Sequence, residues 1–463
     1  PGPPGIEIST PGPVTVSVPP ALPWLPVATD APPAGMTKVN WPPRETRTRL
    51  TPTVPALPPE MGTGCPETKL KAAPLPPAHP GGGAQDQVDG ASAAAPQHYG
   101  DPSGEQWALE GGRALVARPD LVVVDVSGED RQTWLTSLST QVVTGMGPGD
   151  SRELLVLSPE GRIEHWAGAS DDGTTTHLIA EGTDAGALAG FLDSMRFALR
   201  VRVSARDDLA VYSSVRAGGN DAAAVGALPG VEWTWEDPWP GIAPGGAAYY
   251  QGARHPGSRT PMMFHVVPRA MAGAFEGAWL EADGHRMAGM LAWEAMRVAA
   301  WRPRLGADTD ARSIPPEVDW LRTAVRTDKG CYRGQETIAR VVNLGRPPRR
   351  LAYLQLDGSR SELPEPGTRI EVGGRTVGVV TSVARHADEG PVALALLART
   401  VGPEQVFDID GVAAAQEVIV PVDGKCSASP ASRPGAELGG RQIRRSDGGS
   451  GALRGMGSTL GSR

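Results

Sequence analysis

Proline placement sets the first limit on what this chain can fold into. Of its 46 prolines, 22 fall within residues 1–80, in runs such as Pro1–Gly5, Pro19–Pro20 and Pro58–Pro59. Proline lacks the N–H that helices and sheet ladders need, and a segment with few apolar clusters cannot offset its own ordering entropy. No glycine-every-third period accompanies the prolines, so collagen is excluded. Residues 1–100 are therefore expected to be a disordered Pro-rich segment, and 424–463 a disordered tail of similar character. The foldable part is Asp101–Asp423.

A net charge of −8 and a pI near 5.6 argue against a general nucleic-acid coat. No window approaches 18 consecutive apolar residues, so no transmembrane helix and no membrane association are expected. No charged segment followed by an apolar stretch marks a secretory signal at the start of the sequence. Three cysteines (Cys65, Cys331 and Cys426) make no disulfide framework, which fits a reducing cytosol. A cytoplasmic monomer is the expectation.

Leu121–Val126 (LVVVDV) reads as a buried strand. Ser127 then opens SGED, a capping-box-like helix start with Asp130 at the third position. Strands are predicted at Leu154–Ser158, Arg162–Ala167 and Thr175–Ala180, and an amphipathic helix at Ala187–Leu199. Strands return at Val201–Val203, Leu209–Ser213 and Pro261–Val267. Residues 215–257 show no clear period. Helices follow near Met271–Glu281, Arg286–Trp301 and Glu317–Val325. Such alternation with returning strands indicates an α+β region rather than a doubly wound sheet. Neither G-x-G-x-x-G after a strand nor a P-loop is present, so nucleotide binding by those routes is unsupported.

From Arg349 the pattern becomes all-β. Leu351–Leu356, Arg369–Val372, Arg375–Val380, Thr381–Ala384 and Val392–Leu397 read as short strands, with Gly373-Gly374 as a primed hairpin turn. This is a small barrel or sandwich. The division expected is an α+β region of two subdomains over 101–345 and a C-terminal β-barrel over 346–423.

Between the two lies KGCYRGQE, formed by Lys329, Gly330, Cys331, Tyr332, Arg333, Gly334, Gln335 and Glu336. Gly330 and Gly334 allow the close-approach or left-handed backbone that presents a side chain at a helix start. A cysteine there feels the positive end of the helix dipole, and Lys329 and Arg333 add two positive charges. All three influences favour the thiolate, against the commoner fate of a free cysteine as a small buried hydrophobe. The stretch Arg302–Arg350 carries eleven Lys/Arg against six acids, a local excess of +5 that suits an anion site. A solvated charged face is the plainer reading.

This octapeptide resembles the signature of the YgfZ-type folate-binding proteins, relatives of the glycine cleavage T-protein (aminomethyltransferase). The blocks RPRLGADTD (Arg302–Asp310), IPPEVDW (Ile314–Trp320) and NLGRPPRR (Asn343–Arg350) extend the resemblance, which covers about Val124–Ala398. It implies a tripartite body with a tetrahydrofolate site in a central channel, followed by a β-barrel. It further implies an auxiliary factor for iron–sulfur proteins, with assembly proteins or clients as partners and with tRNA modification as a linked role. Cys331 would be its key side chain, with Lys329 beside it. Arg297, Arg304, Asp310 and Arg326 would contribute to the folate site. The place of the T-protein's catalytic aspartate is taken by Glu164, within Gly161–His165. The T-protein's G-Y-T-G-E block has no counterpart, and HPGSRTPMMF (His255–Phe264) lies near where it would fall.

On a strand, Glu164 and His165 point to opposite faces, so at most one reaches a given pocket. Trp233, Trp235 and Trp239 suit either stacking on a pterin or packing onto the core. No His or Cys lies near Cys331 at ligand spacing, so no metal site is expected. Three functions stay open: a folate-binding iron–sulfur factor, a folate-dependent aminomethyltransferase or demethylase, and an RNA-binding module using the basic stretch.

Overall fold

The computed structural model describes residues 95–344 and 346–431. The expected disorder of residues 1–94 and of the chain beyond 431 lies outside the described residues. In chain order the first half forms α1 (Pro102–Glu110), β1 (Ala114–Ala117), β2 (Leu121–Ser127), α2 (Arg131–Leu138), β3 (Ser151–Leu157), β4 (Ile163–Asp171), β5 (Thr175–Glu181), α3 (Gly182–Ser194), β6 (Arg202–Arg206) and β7 (Leu209–Val215). There follow α4 (Ala222–Gly226), β8 (Trp233–Glu236), β9 (Met262–Pro268), α5 (Ala272–Leu280), β10 (Arg286–Ala288), α6 (Met290–Ala299) and α7 (Gln335–Leu344). The last part is all-β, with β11 (Arg349–Leu356), β12 (Arg369–Val372), β13 (Arg375–His386), β14 (Gly390–Ala398), β15 (Phe407–Ile409) and β16 (Val412–Val418).

Three sheets result. The first has the order β10-β1-β7-β9-β8, the second β3-β4-β5-β2-β6, and the third β12-β13-β14-β11-β16-β15. The edges β12 and β15 of the third approach each other, so it curls into a nearly closed barrel filled by Leu354, Ile370, Val380, Phe407 and Ile409. The fold is therefore α+β, two sheet-and-helix subdomains followed by a small barrel.

The apolar run of β2 is explained by burial on both faces. Val123 faces the central core, whereas Val124 and Val126 pack with Trp134 and Leu135 of α2 and Leu188 and Leu192 of α3. The central core is shared by all three sheets, with Val211 and Phe264 from the first, Leu155 and Trp166 from the second, and Leu351 and Tyr353 from the third. Gly373 and Gly374 both take positive φ (58° and 73°), as the primed hairpin turn between β12 and β13 requires.

Several local expectations are corrected. Ser127 ends β2 and caps nothing; Asp130 holds the N-cap position of α2 without a side-chain cap, because its carboxylate is taken by Arg200. The helix expected over Ala187–Leu199 is α3, which starts at Gly182 and stops at Ser194, leaving Phe197 exposed with φ of 45°. Arg286–Ala288 is a strand rather than the first turn of a helix, pairing in parallel with β1. Glu317–Val325 is a 3-10 turn at its start and otherwise irregular. The strand expected at Thr381–Ala384 is part of the long β13, which bulges between Val380 and Ser382. The composition gave no sign of β15 and β16.

Order also extends past the expected ends. The Met290 and Leu291 N–H groups donate to the carbonyls of Pro96 and Gln97, and Ser427 exchanges hydrogen bonds with Ala248. Cys426 is buried there, contrary to its expected place in a disordered tail. Among the described residues no helix is long and apolar enough to cross a membrane.

Candidate functional site

The basic excess of Arg302–Arg350 is not an excess in space, because acids from other parts of the chain fold onto it. Arg302 pairs with Glu153 and Asp237, Arg304 with Asp120, Glu181 and Glu294, and Arg333 with Glu164. Within the stretch itself, Arg322 pairs with Asp319, Arg326 with Asp328, and Arg349 with Asp310 and Glu317. The expected anion site is thus largely an ion-pair framework tying the sheets together.

Its centre is Arg302. The guanidinium lies 2.7 Å from Glu153 Oε1 and 2.9 Å from Asp237 Oδ2, between the rings of Trp166 and Trp239 (5.8 and 5.3 Å to the centroids). Glu153 also accepts from Trp166 Nε1 at 2.5 Å and from the Thr323 hydroxyl. Nearby, Arg118 grips Asp120 and lies over Trp293, 4.6 Å from the ring centroid. Burial pushes the Asp237 carboxyl up to about 6, with the Arg302 charge pulling the other way. A carboxyl so placed can exchange a proton near neutral pH.

Of these groups Arg118, Trp166, Asp237, Trp293 and Arg302 line a cavity of about 30 Å³, together with Phe264, Arg297, Arg304 and Trp320. Three buried donors from its lining have no hydrogen-bond partner among the described residues: Arg118 Nη1, Arg302 Nη1 and Trp320 Nε1. Their residues are 2%, 5% and 0% exposed. Buried donors are rarely left unmatched, so this constellation fits a flat ligand rich in hydrogen-bond acceptors, with Asp237 for its donors and tryptophan faces for its ring. The volume holds about one or two waters, so a ring enters only as the walls part.

The other sequence candidates are distributed as follows. Arg297 and Arg304 line this cavity, but each is already committed: Arg297 to Glu294, Asp308 and Ser382, Arg304 to its three carboxylates. Asp310, whose carboxyl Arg349 holds well below the usual range, and Arg326, half-buried beside Asp328, lie outside the lining. Glu164 stands two residues before Trp166 on β4 and pairs with Arg333 at 2.9 Å, also outside the lining. His165 faces the other way, bonded to Asp184 and against Phe191. Of the three tryptophans, Trp239 meets Arg302, Trp235 is fully buried in core contact with Trp166, and Trp233 stacks on His177.

The motif is an anchored loop. Lys329 Nζ donates to the carbonyls of Thr136, Ser139 and Gln141, at and beyond the C-terminal end of α2, where a cation is favoured. Burial pushes its ammonium down to about 8. Tyr332 is buried in the central core, Arg333 holds Glu164, and Gln335 Nε2 reaches the Lys329 carbonyl at 3.4 Å. Gly334, with φ of 82°, lies against the β3–β4 turn, where a Cβ would stand 2.6 Å from Ser158 O and 2.8 Å from Gly161 Cα. Glu336 is exposed in the first turn of α7. Between these anchors Cys331 is a free, exposed thiol.

Two expectations about this loop need correction. Cys331 is not at the helix start, since α7 begins four residues later at Gln335, beyond the reach of first-turn dipole stabilisation. Gly330 is not under steric demand, as nothing lies within 4 Å of a Cβ there and its φ is ordinary. The motif's positive neighbours are engaged as anchors.

Sequence reading missed Asp237, Glu153 and Arg118, and took Trp320 only as the end of the IPPEVDW block. Asp237 lies in WEDPWPG, where an acid set among tryptophans was the available signal. Glu153 and Arg118 carry no local signature, because their meeting with Arg302 depends on the sheets converging.

A comparison with models of protein families gives no match. Over 107 residues the chain is 36% identical to an Arabidopsis thaliana chloroplastic protein named as a putative transferase, covering 22% of this chain and 23% of that one. Over 122 residues it is 29% identical to the tRNA-modifying protein YgfZ of Escherichia coli, covering 25% of this chain and 37% of that one. The matches thus span well under half the length of these relatives. The crystal structure of the glycine cleavage system aminomethyltransferase T from Bartonella henselae superposes with a TM-score of 0.57 over 72% of this chain and 92% of that one, at 18% identity. The chain is therefore YgfZ-like in sequence and aminomethyltransferase T-like in fold.

Proposed function

We propose that this protein binds tetrahydrofolate, or a one-carbon derivative of it, in the central cavity and acts as an auxiliary factor linked to tRNA modification and to iron–sulfur protein assembly or repair. The observation that carries the reading is the set of unmatched buried donors, Arg118 Nη1, Arg302 Nη1 and Trp320 Nε1, beside the Asp237 carboxyl. The pterin would be held by Asp237, Arg302 and Arg118 between tryptophan faces, and Cys331 would be the side chain offered to the client. Bound tetrahydrofolate supplies a one-carbon carrier; the chain orients it and holds a proton at Asp237. The α+β region over 101–345 carries the folate and the barrel over 346–423 braces it. The protein acts as a monomer in a cytoplasmic or organellar compartment, the second suggested by the chloroplastic relative.

Titration with tetrahydrofolate, followed by tryptophan fluorescence, tests this reading. Saturable quenching is expected, weakened by about tenfold or more in Asp237→Asn, since one lost buried charge-assisted contact is worth about 1.5–3 kcal/mol. Absence of saturable binding overturns it. Cys331→Ala should bind folate as the parent does yet fail to restore an iron–sulfur enzyme in cells lacking this protein. Full restoration would remove Cys331 from the function.

The Asp237 carboxyl, titrating near neutrality, favours a second reading, a folate-dependent aminomethyltransferase or demethylase. Formation of methylenetetrahydrofolate from tetrahydrofolate and an aminomethyl donor, with release of ammonia and the free carrier, and its loss in Asp237→Asn, would select it.

A further inference from the structure

A groove of about 760 Å³ opens between the second sheet and the edge of the first, on residues the folate reading does not use. Ser151, Ser170, His177, Asp125 and Ser204 stand in register across β3, β4, β5, β2 and β6, so their side chains share one face. Ser151 accepts from the Glu236 N–H, and His177 is held by Asp125 at 2.6 Å and Asp172 at 3.3 Å. Ser170, 6% exposed and beside His177 in this row, has no partner for its hydroxyl among the described residues. Across the groove, Trp233 stacks on His177 at 5.0 Å, and its Nε1 is a second buried donor without a partner.

The opposite wall is β8, which ends the first sheet. The Asp237 N–H pairs inward with the Met262 carbonyl at 3.0 Å, while the Glu236 N–H turns outward to Ser151 Oγ at 3.0 Å. Backbone groups alternate in direction along an antiparallel edge, so the N–H and C=O of Thr234 turn outward as well. Thr234 and Glu236 both line the groove. An unpaired strand edge bordered by side-chain donors is the arrangement that accepts an extended peptide as an added strand.

Charge narrows the choice of peptide. Asp125, Asp171, Asp172, Glu232 and Glu236 line the groove against Arg206 and His177. Asp125 and Asp171 are committed to His177 with Arg206 and to Arg131, and Glu236 to Arg216. Glu232 is exposed without a cationic partner among the described residues, and Asp172 is 48% exposed. We infer that this groove binds an extended, lysine- or arginine-bearing peptide segment of a partner protein. The peptide adds along β8 at Thr234, its carbonyls accept from Trp233 Nε1 and the Ser170 hydroxyl as these buried donors turn toward it, and its cation meets Glu232 and Asp172.

Calorimetry on the full chain would use three capped hexapeptides: alternating lysine and valine, alternating glutamate and valine, and the lysine peptide with proline replacing its valines. The lysine peptide is expected to bind, more weakly as salt rises, and the other two to bind at least about tenfold more weakly. Glu232→Gln, at an exposed site, and Trp233→Phe, which keeps the stack but removes the N–H, should each weaken binding several-fold without altering folate titration. The inference is overturned if the lysine peptide does not bind, if the glutamate or proline peptide binds equally well, or if both variants bind as the parent does.

Discussion

His265 shows how much a single buried side chain can set the acid response of this molecule. It is fully buried, bonded to Ser214 through Nε2 at 2.8 Å and to Thr234 through Nδ1 at 2.9 Å. Burial pushes its imidazole down to about 3, and His255, ringed by Trp239, Tyr250 and Trp301, is likewise pushed down to about 3 by burial and the Arg322 charge. With a folded pKa below the unfolded value of about 6.5, the unfolded chain takes the proton first. The stability from keeping each ring neutral is therefore full above about pH 6.5 and falls as pH drops toward 3. Between pH 6.5 and 5 each ring should account for a loss of about 1.6 kcal/mol. Urea midpoints at the two pH values would show it, with a smaller drop in His265→Gln; an equal drop would count against the assignment. His177 has the opposite sign, because its carboxylate partners raise it against the effect of burial, so its contribution is present in acid and lost as pH rises.

Within the motif loop the two glycines make a matched comparison. Gly334→Ala would press a Cβ onto backbone atoms of the β3–β4 turn at a positive φ, and should cost about 2 kcal/mol or more by thermal or urea unfolding. Gly330→Ala has open space and an ordinary φ, and should change stability by less than about 1 kcal/mol. Similar costs at both positions would refute this account of the loop. The comparison also shows what was legible in the sequence. Strands such as β2, β5 and β9 were read because period and turn residues are local properties. The early end of α3 was not, since Leu199 continues the apolar spacing although the chain has already turned away. The importance of the KGCYRGQE stretch was visible from its composition, but the division of labour within it was not. Lys329 reads as a charge near a thiol and proves to be a cap on α2, which only the tertiary fold reveals.

At the scale of the whole molecule, one core joins three sheets, and the buried ion pairs of Arg302, Arg304 and Arg297 lie where they meet. The sequence showed a change of character at Arg349, which separates the barrel, but not the convergence, since Glu153, Asp237 and Arg302 come from distant positions. The two thiols among the described residues sit on opposite sides of this shared core's boundary. Cys331 is exposed, and Cys426 is 4% exposed and packed in the core beside Tyr249. In native buffer an alkylating reagent should label Cys331 promptly and Cys426 only as fast as its segment opens, with peptide mass spectrometry separating the two; equal rates would contradict the burial of Cys426. The pair thus forms an internal clock and its reference. A ligand that binds only the closed molecule should slow the Cys426 signal in proportion to its occupancy while the Cys331 signal keeps time, so that binding could be read from the ratio of two chemical rates without any dye or engineered probe.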